Sequence, residues 1–316
     1  MKVLVTEFMD RDALKLFGAD AMVIYEPSLA NDRAKLLTQI EGASAVIVRN
    51  KTKVDRELLR HAPNLKVVGR LGVGLDNIDV DACRDSGVDV RPATGANAIS
   101  VAEYVICAAM TLVRGAFHST EAVIAGGWPR DNLARGGELC GRTLGLFGFG
   151  LIAQTVVPRA KALGMSVAAF DPFLPPDHPA WQNVEACDAE NLISDSDVLS
   201  LHVPLTPDTR NLIGASEIDR MKAGAVLINT SRGGIVDEIA VAAALKDGRL
   251  GGAALDVFHS EPLPAAEAAI FADIRNLILT PHISGVTKEA NIRVSDVTVR
   301  NVSASLIIET SNQTGV

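Results

Sequence analysis

Basic residues are in short supply. Thirty lysines and arginines against 38 aspartates and glutamates leave this 316-residue chain with a net charge of −8. Nucleic-acid binding normally shows a basic surplus or stripe, and neither is present. An anionic ligand must therefore be held by a few placed cations and amides against an unfavourable overall field. Cysteine is scarce as well: Cys83, Cys107, Cys140 and Cys187 form no C-x-x-C pair. That argues against a disulfide framework, predicts small buried or half-buried thiols in a reducing compartment, and leads us to expect no metal. Long apolar runs are missing too. The longest stretch, YVICAAMTLV, is about half of what a membrane span requires. The start, MKVLVTEFMD, goes straight into a strand-like alternation with no leader core or cleavage site. A cytoplasmic protein without nucleic-acid or membrane partners is the expectation.

What is present is an ordinary globular composition, 48% apolar and 22% charged, in a chain long enough for two domains with separate cores. Short apolar runs alternate with helical patterns throughout, which predicts an α/β protein with parallel sheets. The first series of strand candidates is KVLVTEF, MVIYEP, SAVIVRN, KVVGRLG and DVRPAT. Amphipathic stretches such as VDRELLRHAP lie between them, with Leu58 and Leu59 marking one face. A second series begins at residue 144 with LGLFGFG, SVAAFD, VLSLHVP, AVLINTS, GAALDVF and LILTP. Six strands in that order suit a doubly wound sheet. A long helical pattern, NAISVAEYVICAAMTLVRGAF, separates the two series. A last one follows Thr287, a candidate N-cap. Too little chain remains for another sheet, so this final helix is expected to return to the first domain. The expected division is residues 1–97 with 288–316 against an inserted 98–287.

In TLGLFGFGLIAQ an apolar strand runs into Gly148, Phe149, Gly150, Leu151, Ile152 and Ala153 and then a helix. This is G-x-G-x-x-A, a dinucleotide fingerprint with alanine in the third place. The first glycine permits a tight turn, the second lets backbone approach a pyrophosphate, and the small third residue lets helix pack on strand. The helix N-terminus presents free amides and a partial positive charge. A glycine turn alone serves structure just as often. Here the next strand ends in Asp171, twenty-three positions after Gly148. A carboxylate there accepts ribose hydroxyls and repels a 2′-phosphate, and the following PFLPPD holds no arginine. NAD is expected in preference to NADP.

Three further strands end in polar residues where a parallel sheet opens onto its ligand crevice. They are INTSRGG with Arg232, ALDVFHSEP with Glu261 and ILTPHISG with His282. Singly, each has a structural explanation: a surface ion pair, a solvated glutamate, a satisfied histidine. Together they suit hydride transfer between a nicotinamide and a 2-hydroxy acid. Arg232 offers a planar fork for a carboxylate, His282 a proton donor and acceptor near neutrality, and Glu261 a partner that orients the imidazole.

These segments, with GRLGVGLDNIDVDAC, ISVAEYV, LHVPLTPDTRNLI and LGGAALDVFHSEPLP, resemble the D-2-hydroxyacid dehydrogenase family over nearly the whole chain. The phosphoglycerate dehydrogenase branch is the most similar. The resemblance implies a Rossmann nucleotide-binding domain inserted into a smaller flavodoxin-like substrate domain, and a homodimer joined through the arm FHSTEAVIAGGWPRD. It implies that Arg232, Glu261 and His282 are catalytic. Leu151, Ile152, Asp171, Val203 and Pro204 would meet the cofactor. Thr230, Ser231, Arg232, Asp256 and the turn from His282 to Gly285 would surround its nicotinamide. Val73 and Gly74 would face the substrate carboxylate, and Arg49, Asn50 and Arg70 an anionic tail. VTEFMD and VGRLGVGLDNIDVDACR are most similar to the sulfolactate dehydrogenases of this branch, which makes (S)-sulfolactate the expected substrate. 3-Phosphoglycerate and hydroxypyruvate or glyoxylate are the alternatives. Two positions depart from the family pattern: Ala153 replaces a glycine, and Arg135 stands where a large apolar residue is usual.

Overall fold

The computed structural model describes residues 1–182 and 184–313, with side chains described to residue 307. Contacts divide the chain into two compact units, Met1–Asn97 with the chain from Val286 onward, and Ala98–Gly285.

The first unit is built on strands β1 (Lys2–Val5), β2 (Met22–Tyr25), β3 (Ala45–Val48), β4 (Val67–Arg70) and β5 (Asp89–Pro92). They pair in parallel in the order β2-β1-β3-β4-β5, the flavodoxin-like order. The central strand AVIV is buried along its whole length, as a strand covered by helices on both faces must be. One face packs on Leu36, Leu58, Leu59 and Cys83. The other takes Val294, Val299, Val302 and Leu306 from the long C-terminal helix Lys288–Gln313. Burying each such aliphatic side chain contributes roughly 1.5–3 kcal/mol. Thr287 caps this helix, its Oγ1 accepting the Ala290 N–H at 3.0 Å.

The second unit carries β6 (Thr143–Phe147), β7 (Ser166–Phe170), β8 (Glu185–Ala186), β9 (Val198–Leu201), β10 (Ala225–Asn229), β11 (Leu250–Leu255) and β12 (Leu277–Leu279). The parallel order is β12-β11-β10-β9-β6-β7-β8. The chain reverses direction across the sheet between β6 and β9, which is where ligands bind in folds of this kind. Six of these strands are those expected; β8 is an addition, a two-residue edge too short to show alternation. The helix Ala98–Arg114 covers one face through Val101, Val105, Ala109 and Leu112. Among the described residues no single helix is long and apolar enough to cross a membrane. The thiols differ from expectation: Cys83 is buried and Cys187 half-buried, but Cys107 and Cys140 are exposed. Both occupy outward positions on segments whose other residues supply the packing.

Candidate active site

Register aligns the second unit's chemistry. Phe170, Phe147, Leu201, Asn229, Leu255 and Leu279 lie side by side across the sheet. One to three residues beyond that row come Asp171, Gly148 to Gly150, Val203, Thr230 to Arg232, Asp256 and His282. The residues expected at the cofactor and the acid–base group thus leave neighbouring strands at one level, all at carboxyl ends.

At the switch point Gly148 has φ +88°. A Cβ there would stand 2.6 Å from the His202 carbonyl oxygen and 2.8 Å from Val203 Cγ1, so only glycine fits. A Cβ at Gly150 would meet nothing within 4 Å: that backbone faces open space. The first bond of the helix Leu151–Ala162 runs from Gln154 N–H to the Gly150 carbonyl, leaving the amides of its first turn without an intrahelical acceptor. Ala153 is fully buried against β6, so the extra methyl is absorbed by packing. Asp171 Oδ2 accepts the Phe149 N–H at 2.8 Å and Oδ1 the Phe173 N–H at 2.9 Å. An open groove of about 390 Å³ is lined by Phe149, Gly150, Leu151, Asp171, Phe173 and His178. Below the turn, burial pushes the His202 imidazole down to about 4, and its Nε2 meets Ser200 Oγ at 2.9 Å. A neutral ring there adds no charge beneath the glycine turn.

Arg232 is presented by a clamp that the sequence does not announce. Buried Asn229 accepts the Ser231 N–H and Oγ–H on Oδ1 at 3.1 and 2.8 Å, and its Nδ2 donates to the Arg232 carbonyl at 2.9 Å. The Arg232 guanidinium donates to the Ser231 carbonyl at 2.6 Å. Gly233 owes its identity to the protein's own backbone: a Cβ there would lie 1.7 Å from the Phe258 carbonyl oxygen. The glycine therefore presses the Arg232 loop against the loop that carries Glu261. Thr230 Oγ1 is buried with no hydrogen-bond partner, an acceptor and donor awaiting a ligand. The open Gly150 backbone, the free helix amides, the ribose-side carboxylate and this orphaned hydroxyl together fit a dinucleotide.

Glu261 leaves β11 and His282 leaves β12. His282 Nδ1 lies 2.8 Å from Glu261 Oε2, and Glu261 Oε1 accepts the Phe258 N–H at 3.0 Å. The carboxylate accepts a hydrogen bond from Nδ1–H, so in the neutral ring Nε2 is the basic nitrogen. His282 adopts φ +52°, a conformation costing a non-glycine residue about 1–3 kcal/mol. It is held by its N–H, which donates to the Asp256 and Thr280 carbonyls at 2.8 and 3.0 Å. Asp256 is 0% exposed, beneath the surface rather than on it. Gly285 closes the same turn.

In the first unit, Arg49 and Asn50 follow β3, Arg70 ends β4 and Val73 and Gly74 come just after it; Glu7, beyond β1, joins them. Buried Glu7 accepts the N–H groups of Arg49, Asn50, Lys51 and Thr52 at 2.8–3.2 Å. Burial alone would raise its pKa; those amides outweigh it and hold the carboxyl below its ordinary value. Glu7 thereby fixes the turn that displays Arg49, Asn50 and Lys51. Arg49 donates to Asn291 Oδ1 at 2.7 Å. Arg70 donates to the Leu71 carbonyl at 2.8 Å and lies over Gly72, where a Cβ would be 1.7 Å from its Nη1. Val73 is exposed and Gly74 half-buried. Arg135 lines a separate hollow with Arg114, Arg142 and Asn276 beside Gly224 and Gly251, at the amino ends of β10 to β12. Within its unit it is at the opposite end of the sheet from Arg232.

Residues 106–284 match the family model described as D-isomer specific 2-hydroxyacid dehydrogenase, NAD binding domain. The chain belongs to that family. It is an NAD-dependent oxidoreductase of the 2-hydroxyacid dehydrogenase class. Over 305 residues it is 53% identical to the (S)-sulfolactate dehydrogenase of Chromohalobacter salexigens, covering 96% of this chain and 98% of that enzyme. It is 37% identical to the D-3-phosphoglycerate dehydrogenase of Archaeoglobus fulgidus over 96% of this chain, and spans 56% of that enzyme's length. The crystal structure of TT0316 protein from Thermus thermophilus superposes with a TM-score of 0.86 at 34% identity, covering 97% of each chain.

Proposed function

We propose that this enzyme interconverts a 2-hydroxy acid bearing an anionic tail, (S)-sulfolactate, and its 2-oxo acid, with Arg232, Glu261 and His282 as its catalytic residues. The observation that carries the reading is the 2.8 Å His282–Glu261 pair in loops that follow β11 and β12, the next two strands beyond β10, which presents Arg232. NAD, when bound, supplies the hydride acceptor. In oxidation His282 Nε2 takes the hydroxyl proton, and the Glu261 carboxylate stabilises the imidazolium that results. Arg232 holds the substrate carboxylate through paired N–H donors and draws charge toward the developing carbonyl. Asp171 receives the ribose hydroxyls, the Leu151 and Ile152 amides the pyrophosphate, Val203 and Pro204 the adenosine half, and Thr230, Ser231 and the turn to Gly285 the nicotinamide. Asp256 acts through that turn.

Specificity falls to the tail. Arg49, Asn50 and Arg70 are assigned to a sulfonate or phosphate, and the Val73 and Gly74 amides to the carboxylate. The likeness to the Chromohalobacter enzyme supports sulfonate. Stereochemistry is compatible with either tail: sulfur changes substituent priority, giving (S)-sulfolactate the same spatial hand as D-3-phosphoglycerate. NAD-coupled oxidation of sulfolactate, 3-phosphoglycerate, glycerate and lactate, ranked by kcat/KM, tests this directly. Sulfolactate should lead, and Arg49→Ala should lower kcat/KM for the two tailed acids about 10-fold or more while sparing lactate, as expected for a lost charged hydrogen bond. Lactate leading, or an equal loss on all four acids, removes the tail assignment.

The enzyme is further proposed to be a cytoplasmic homodimer. Phe117, Val123, Ile124 and Trp128 are 66, 45, 81 and 79% exposed on the arm before β6. Such an apolar surface calls for a covering partner, and a second copy supplies one. Sedimentation equilibrium should give twice the chain mass, and Trp128→Ala should shift it toward monomer. A wild-type monomer at micromolar concentration would refute the dimer.

A further inference from the structure

The turn that carries His282 rests on a chain of side chains reaching back to the helix Ala98–Arg114. Thr280 Oγ1 donates to Asp256 Oδ1 at 2.6 Å. The same carboxylate accepts the Ile283 N–H on Oδ1 and the Ser284 N–H on Oδ2, each at 2.8 Å. The Asp256 carbonyl accepts the His282 N–H at 2.8 Å. A hydroxyl has one proton, and that of Thr280 is committed to Asp256. In its 2.6 Å contact with Tyr104 Oη, Thr280 can therefore only accept, and the phenol donates.

We propose that Tyr104 is a positioning residue for the acid–base turn: its phenol fixes the Thr280 hydroxyl, which fixes Asp256 and so the backbone that carries His282. Three consecutive amides, 282 to 284, then depend on one buried aspartate, whose own orientation depends on two hydroxyls in series. The left-handed backbone at His282 gives this support a purpose, because a turn held against its own preference relaxes when a restraint is lost. The Tyr104 ring packs against the core beneath the sheet, so the aromatic body is accounted for by packing while the hydroxyl is not. Burial raises the phenol pKa, Thr280 opposes that, and the charge of Asp256 adds to it. The donor keeps its proton through the neutral range.

The inference rests on the assignment of His282 as the acid–base group, and His282→Gln measured alongside separates the two: full turnover in that variant refutes the assignment itself. Tyr104→Phe retains the ring and deletes the hydroxyl. It should lower kcat about five- to tenfold, the weight of one hydrogen bond, with KM and NAD affinity within twofold and Tm within about 3 °C. Thr280→Val should lose at least as much, and Thr280→Ser should restore the rate. In the double variant Tyr104→Phe/Thr280→Val, turnover should fall no further than in Thr280→Val alone, because both act through one chain. Turnover of Tyr104→Phe within twofold of the parent overturns the proposal. So do losses that multiply in the double variant, or a fall in Tm with turnover per folded molecule unchanged.

Discussion

His282→Gln should lower turnover by about 10²- to 10⁴-fold, the range of a positioned general acid–base group, while NAD still binds. Glutamine is close in length and can still meet the Glu261 carboxylate, so the substitution removes proton transfer rather than bulk. The backbone bonds from residue 282 to the Asp256 and Thr280 carbonyls do not involve the side chain and should persist. The glycine turn, Asp171 and Thr230 leave other strands and the backbone of the His282 turn persists, so NAD should still bind. Steady-state kcat with isothermal titration of NAD checks both halves. A variant retaining more than a tenth of parental turnover would show that another group moves the proton, and the Glu261 pairing would then need a different explanation.

The sequence exposed strand cores well and loop geometry poorly, for physical reasons. A strand buried on both faces must be apolar along its core, so AVIV and AVLI could be recognised without any partner. Residues Glu185 and Ala186 pair with Ala168 and Ala169, but two residues cannot display a period. Arg232, Glu261 and His282 stand out as candidates because each sets a polar group after an apolar run, at the end where crevices form. The parts that hold them in place were not. Asn229 reads as an ordinary strand-end polar residue and Asp256 as a neighbour of the nicotinamide; only the folded chain shows their side chains turned back onto amides farther along. Glu7 acts on residues 42 to 45 positions away, and Tyr104 on Thr280 across 176. No local pattern encodes such separations. Gly233 reads only as one of a pair of glycines after Arg232; its constraint, the Phe258 carbonyl, exists only in the folded chain. Arg135, conspicuous as a departure, lies at the amino ends of the strands.

Arg232→Ala should lower kcat/KM by on the order of 10²- to 10³-fold, the loss seen when a donor aimed at developing charge is removed from an active site. Both kcat and KM should contribute, because the guanidinium is assigned the substrate carboxylate in the ground state and the carbonyl oxygen as hydride leaves. Folding should be nearly intact. The loop is tied by Asn229 to Ser231 and to the Arg232 backbone, and by the close approach of Gly233 to Phe258, none of which uses the guanidinium. Arg232→Lys discriminates further. It keeps the charge but not the planar fork, so it should recover only part of the loss. An arginine that merely neutralised the −8 chain would be replaced by lysine without penalty. Kinetics of the three forms, with thermal unfolding to confirm an unchanged fold, therefore separate geometry from charge: full recovery by lysine, or an alanine variant within tenfold of the parent, removes Arg232 from the substrate.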